Sequence, residues 1–318
     1  MKKYELTDEY IEIGLVTKIK LYRIKALVTI ASIGVGAGDL GGYVEKESNL
    51  DQSGNAWVYG NAKVYGNAEV YGNAKVYGNA EVCGNARVFD DAEVYGNAKV
   101  FDDAEVCGNA RVFDDAKVFD DAEVCGNARV FDDAKVYGNA KVYGNARVFD
   151  DAWVYGNAWV YGNAKVYGNA EVCGNARVFD DAEVYGNAKV FDDAEVYGNA
   201  KVYGNAKVFD DAEVCGNARV FDDAEVYGNA KVYGNAEVCG NARVYERSDI
   251  VWFSNVGTEY GTLTVFKTKQ GVLWVTRGCF SGSVEEFLKK SAEVHDEKNK
   301  REYQLLIEVA KSRLEETQ

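Results

Sequence analysis

The side chains in this sequence with the most capacity for chemistry are paired aspartates. Asp114-Asp115, Asp132-Asp133 and Asp150-Asp151 recur at intervals of 18 residues. If the chain returns to the same edge every 18 residues, six carboxylates gather within about 10 Å along it. Such charges repel by ~1 kcal/mol or less per close pair in water, and a calcium ion with several oxygen ligands would relieve them. Divalent-cation binding, Ca2+ above all, is one expectation. The other is a solvated corner whose aspartates bond their own backbone, and no Asp-x-Asp-x-Asp-Gly loop accompanies the pairs. Seven cysteines are the second set; six lie in the context EVCGNAR and none forms a CxxC pair. Each repeat cysteine has Glu and Arg near it, as in Glu81, Cys83 and Arg87, and no histidine to activate it. They read as replacements for Tyr or Phe at an outward position. Cys107 and Cys125 would stack at ~4.8 Å, within disulfide reach. Free thiols are nevertheless expected, because the odd count and repeat context suit a reducing cytoplasm. His295, the single histidine, reads as a solvated surface residue.

The elements that would position these groups follow from a six-residue period. Valine recurs every sixth residue from Val58 to Val244, and alanine four residues after each valine from Ala62 to Ala242. Between them stand Tyr, Phe or Cys, then Gly-Asn or Asp-Asp. A helix of 3.6 residues per turn would smear the valines around its surface, and the Gly, Asn and Asp would break it. A short strand and a corner fit. In Lys75-Val76-Tyr77 the valine faces one side and its neighbours the other. The second corner position is always Asn or Asp, so a left-handed residue is expected there, for example Asn73 or Asp91.

The pattern aliphatic, x, x, Asn or Asp, small, x resembles the hexapeptide repeat of left-handed parallel β-helices, the fold of many bacterial acyltransferases. The resemblance covers about two thirds of the chain. At the N-terminus, LYRIKAL, GDLGGYVEKESNL and the entry into GNAWVYGNA resemble bacterial and phage hexapeptide-repeat proteins, some labelled transferases. The resemblance implies an all-β solenoid: a triangular left-handed parallel β-helix with three hexads, or 18 residues, per coil and about ten regular coils. Residues 1–45 read as an N-terminal β cap, 46–256 as the solenoid and 257–318 as a small α+β cap. In that last region a hairpin turning near Lys269 to Gly271 is expected, then a helix opened by a Ser283/Glu286 capping box, then a second helix from about Lys300 to Glu315.

On 18-residue coils the aromatic residues align. Tyr59, Tyr77, Tyr95, Phe113, Phe131, Phe149, Tyr167, Tyr185, Tyr203 and Phe221 form an expected outward ladder, which either ties coils together or meets a flat partner. Trp153 and Trp159 replace the charged residue before valine, and Trp159 is placed to stack on cations one coil away. The segment EVCGNARVFDDAEVYGNAKV occurs at Glu81, Glu171 and Glu213. The first two copies are whole coils apart and the third is not, so the faces are shuffled, as suits a spacer better than a built pocket.

Acyltransferases of this fold generally use a histidine base near the coils, and the related carbonic anhydrases hold zinc with three histidines; the array here has none. The net charge is −15, with 18 basic and 31 acidic residues in the array, which disfavours direct nucleic-acid binding. The basic-then-apolar run Lys18 to Gly38 reads as strands rather than an export signal, and no membrane span is expected. GAGDLGG lacks the ending of a phosphate loop and reads as a tight turn. The resulting expectation is a cytoplasmic, non-enzymatic rod without an obligatory cofactor. It would bind a protein partner or itself, with an acidic surface able to act as a decoy for basic partners; a homo-oligomer is compatible with the fold. The alternatives are a degenerate acyltransferase working from His295 or an end-domain residue, and a cation-binding solenoid.

Overall fold

The computed structural model describes residues 1–314, and the chain divides into two units, 1–168 and 169–318. In the first, β1 (Tyr4–Ile13) and β2 (Ile19–Ala26) pair antiparallel, and β2 pairs with β3 (Leu40–Val44). β3 then runs parallel to Lys63–Val64, the first rung of a ladder of two-residue strands. Three such ladders run through the coils, and pairing always joins residues 18 apart: Val76 with Val94, Val82 with Val100, Val88 with Val106. This is a parallel β-solenoid of 18-residue coils. Every valine and alanine of the array is fully buried. A narrow three-sided interior accepts only these small side chains, so coils repeat with little room for variation inside. The run Lys18 to Gly38 contributes β2 and lies against the first coil. Gly41 and Gly42 sit where a methyl group would meet Ile24, Val58 or Ala62 at 2.6–2.7 Å. GAGDLGG is thus a turn followed by a close packing contact.

The corners depart from the sequence expectation. The left-handed residue is the first of the pair, not Asn73 or Asp91. Gly72 and Asp90 have φ of 69° and 56°, and positive φ recurs at the first position of every corner from Gly60 to Gly240. The alanine N–H bonds back to the aromatic carbonyl, as from Ala98 to Tyr95 at 3.3 Å. The sign pattern is that of a type II′ turn, whose first central residue is the left-handed one. Aspartate there costs about 1–2 kcal/mol of backbone strain. Its carboxylate offsets this by accepting an N–H from the next coil: Gly108 to Asp90 at 3.2 Å, Gly138 to Asp120 at 3.0 Å.

The second unit repeats the scheme from Glu171–Val172 to Arg243–Val244, with the same 18-residue register. The sequence reading carried the solenoid to residue 256, but the parallel ladder ends at Val244. A 3-10 turn at Arg247–Asp249 intervenes, and Ile250–Val256 pairs antiparallel with Gly261–Lys267. Leu273–Arg277 and Phe280–Ser283 complete a four-stranded sheet. Two helices pack on it: α1 (Val284–Val294), opened by the Ser283/Glu286 capping box, and α2 (Glu297–Leu314). The expected last helical residue, Glu315, lies outside the described residues. Val251, Leu263, Val275, Phe287, Tyr303 and Ile307 form this region's own core.

Candidate functional site

Three surfaces gather the candidate groups. The first is the aromatic face. In the first unit Tyr59 meets Tyr77 edge-on, and Tyr77, Tyr95, Phe113, Phe131, Phe149 and Tyr167 then stack nearly parallel at 4.7–4.9 Å between centroids. In the second, Tyr185, Tyr203 and Phe221 stack at 4.9 Å. Phe101–Phe119–Tyr137–Tyr155 and Phe191–Phe209–Tyr227 form further runs. The rings are half-buried between flanking charges, and burial holds the hydroxyls of Tyr77 and Tyr143 above the ordinary phenol range. The position before valine often pairs opposite charges between coils, as in Lys63–Glu81 at 2.9 Å and Lys201–Glu183 at 3.0 Å. Each exposed pair is worth under about 1 kcal/mol. Trp153 and Trp159 stand on the two other sheets, 39% and 44% exposed. Lys135 lies over Trp153 at 4.3 Å and Lys141 over Trp159 at 5.7 Å.

The second surface is the corner edge. The second corner residues form side-chain ladders, Asn55 to Asn73 at 2.8 Å and Asn73 to Asp91 at 3.0 Å. Asparagine can both donate and accept, so it continues a ladder that aspartate ends. Asp114-Asp115, Asp132-Asp133 and Asp150-Asp151 do occupy one edge on successive coils. Backbone N–H groups take two of the first-position carboxylates: Asp150 donates to Asp132 at 3.4 Å and Gly168 to Asp150 at 3.1 Å. Asn97 reaches Asp115 at 3.1 Å. Among the described residues no group of three or more His, Cys, Asp or Glu side chains is gathered for a metal ion.

The cysteines separate into two kinds. Cys107 and Cys125 form a disulfide, their Cα atoms 4.6 Å apart on neighbouring coils, which corrects the expectation of thiols throughout. The 18-residue register brings these two together, whereas the other repeat cysteines have aromatic residues or no cysteine one coil away. Burial raises the thiols of Cys83 and Cys239 above their usual range, so neither is an activated nucleophile. Lys3 is buried and its ammonium is lowered to about 8 by burial. It donates to the carbonyls of Ala56 and Ser53 at 2.9 and 3.3 Å, a role in tying down the N-terminus.

The third surface was not visible in the sequence. Between the second unit's sheet and helices lies an open cleft of about 410 Å³, lined by Arg277, Cys279, Phe280, Lys290, His295 and Tyr303 among others. His295 is half-buried at the end of α1, with Nδ1 3.2 Å from Ser291 Oγ and its ring 5.2 Å from Tyr303. It is not the fully solvated residue expected. Its neighbours come from separate strands and helices, so no local spacing announces them.

No helix among the described residues is long and apolar enough to cross a membrane. Residues 140–156 match a family model described as YdcK beta solenoid repeat. No curated protein matches the chain. The matched stretch is just under one coil and coincides with the observed parallel ladder. Fold and match agree that this is a β-solenoid repeat protein.

Proposed function

We propose that the chain is a structural or protein-interaction scaffold whose working surface is the outside of its coils. One observation carries this reading: the interior of the array holds only valine and alanine, while rings on the outside stack from coil to coil at 4.7–4.9 Å. A regular, flat array of rings and charges suits a protein partner or another copy of the chain better than a small substrate. Paired aspartates and the glutamates before valine give the array 31 acidic against 18 basic residues, so the favoured partner face is basic. The test is photo-crosslinking in the native host with p-benzoylphenylalanine in place of Phe113, Tyr203 or, in the cap, Tyr260. Adducts to a protein from Phe113 or Tyr203, weakened by added salt, support the reading. Adducts from Tyr260 alone would transfer the function to the cap.

A further inference from the structure

The cleft in the second unit has a chemistry that a scaffold does not need. Phe280, Phe287, Tyr303 and His295 form a chain of rings along it, with centroids 5.3, 5.2 and 5.2 Å apart in tilted or edge-to-face contact. Cationic groups border the rings. Arg277 and Lys290 line the cleft, and among the described residues neither forms an ion pair. The Arg277 Nη2 donates to the Val256 carbonyl at 3.0 Å, but its Nε is buried with no hydrogen-bond partner. A buried donor without an acceptor is costly unless something outside the protein supplies one. The backbone is shaped to hold this arginine. A methyl group on Gly261 would lie 2.5 Å from Arg277 Nη1, and one on Gly257 would lie 2.1 Å from the Tyr303 hydroxyl. Glu259 is the one carboxylate in the lining. Set against Arg277 and Lys290, it leaves the lining with one net positive charge in a chain whose net charge is −15. The volume falls within the ~300–1,000 Å³ of small-molecule sites.

We propose that this cleft binds a small organic monoanion: a carboxylate held by Arg277 and Lys290, with an aromatic or short aliphatic body against the rings. The probe is phenylacetate, titrated calorimetrically into the full chain, with benzyl alcohol as its uncharged counterpart. Saturable binding of phenylacetate is expected, with benzyl alcohol at least about tenfold weaker, as suits loss of a charged hydrogen bond. Lys290 is exposed, so Lys290→Gln should fold normally and weaken phenylacetate binding about tenfold. Arg277→Gln should weaken it further, provided circular dichroism shows a folded cap. Cys279, exposed in the lining, gives an independent readout: phenylacetate should slow its alkylation by iodoacetamide, followed by mass spectrometry of its peptide. No binding at millimolar phenylacetate, equal affinity for benzyl alcohol, or unchanged binding in Lys290→Gln would each overturn the proposal. Because these readouts lie in the cap, their failure leaves the scaffold reading of the coils standing.

Discussion

Within the second unit, the coils to Val244 and the cap from Ile250 onward solve the burial problem in opposite ways. The coils bury one valine and one alanine per hexad, each at 0% exposure. They repeat this until the ladder ends. The cap buries Leu263, Val275, Phe287, Tyr303 and Ile307 around a single centre, and its sheet is antiparallel. A uniform thin core leaves no hollow, so variation is pushed to the outside. Large side chains from separate elements pack less regularly and leave a cleft at their margin. The two meet through specific contacts: Thr276 donates to the Glu237 carbonyl at 2.7 Å, Thr264 accepts from the Glu237 N–H at 3.1 Å, and Lys269 pairs with Glu225 at 3.2 Å. Thr264 and Thr276 sit in the cap sheet and satisfy the last coils, whose strand edges would otherwise be unpaired.

This contrast is open to attack by substitution. The largest effect is expected from Val208→Asp, which places an unpaired carboxylate in the dry interior of a coil. A loss of about 4 kcal/mol or more is expected in denaturant unfolding. The same substitution at Val294, 56% exposed in the cap, should cost under about 0.5 kcal/mol. The Cys107–Cys125 disulfide closes an 18-residue loop. Cys125→Ser should lower stability by about 3 kcal/mol, and reductant should produce the same loss in the parent only. Gly204 and Gly271 both have positive φ, at 71° and 76°. A methyl on Gly204 would lie 2.9 Å from the backbone of the next coil, whereas one on Gly271 meets open space. Gly204→Ala should therefore cost about 2 kcal/mol or more and Gly271→Ala about 1. Equal costs would mean that the coils are not stacked as described. Among the coil substitutions the smallest effect is Phe209→Leu, which keeps an apolar residue and loses ring contacts at 4.8 Å on both sides. About 1 kcal/mol is expected.

Much of this architecture is written in the sequence because it is local and repeated. The valine–alanine period identifies the inside, and the 18-residue alignment places Tyr77 over Tyr95 and Asp114 beside Asp132. Ser283 with Glu286 marks the helix start, since a capping box is complete within four residues. Other features escaped for identifiable reasons. Gly-Asn and Asp-Asp both offer a residue tolerant of left-handed angles at either position, so composition alone did not distinguish Gly72 from Asn73. The turn's hydrogen bond decides it. Ile250 and Val256 keep the six-residue spacing by coincidence: both are buried in an antiparallel strand whose register shifts between Phe253 and Val256. The cleft around His295 depends on Arg277, Phe287 and Tyr303, residues brought together only by tertiary packing. Compartment reasoning points to thiols, whereas the 18-residue register places Cys107 beside Cys125, where they form a disulfide.

The central claim is that residues 18 apart are neighbours and residues 12 apart are not. It can be tested directly by oxidative crosslinking in a background where every cysteine except the chosen pair is replaced by serine. Tyr203→Cys with Phe221→Cys spans one coil, and Tyr203→Cys with the native Cys215 spans two hexads. Rapid, near-complete disulfide formation in the first pair and none in the second is the predicted result. Comparable crosslinking in both, or only in the second, would contradict the coil on which every outward ladder depends.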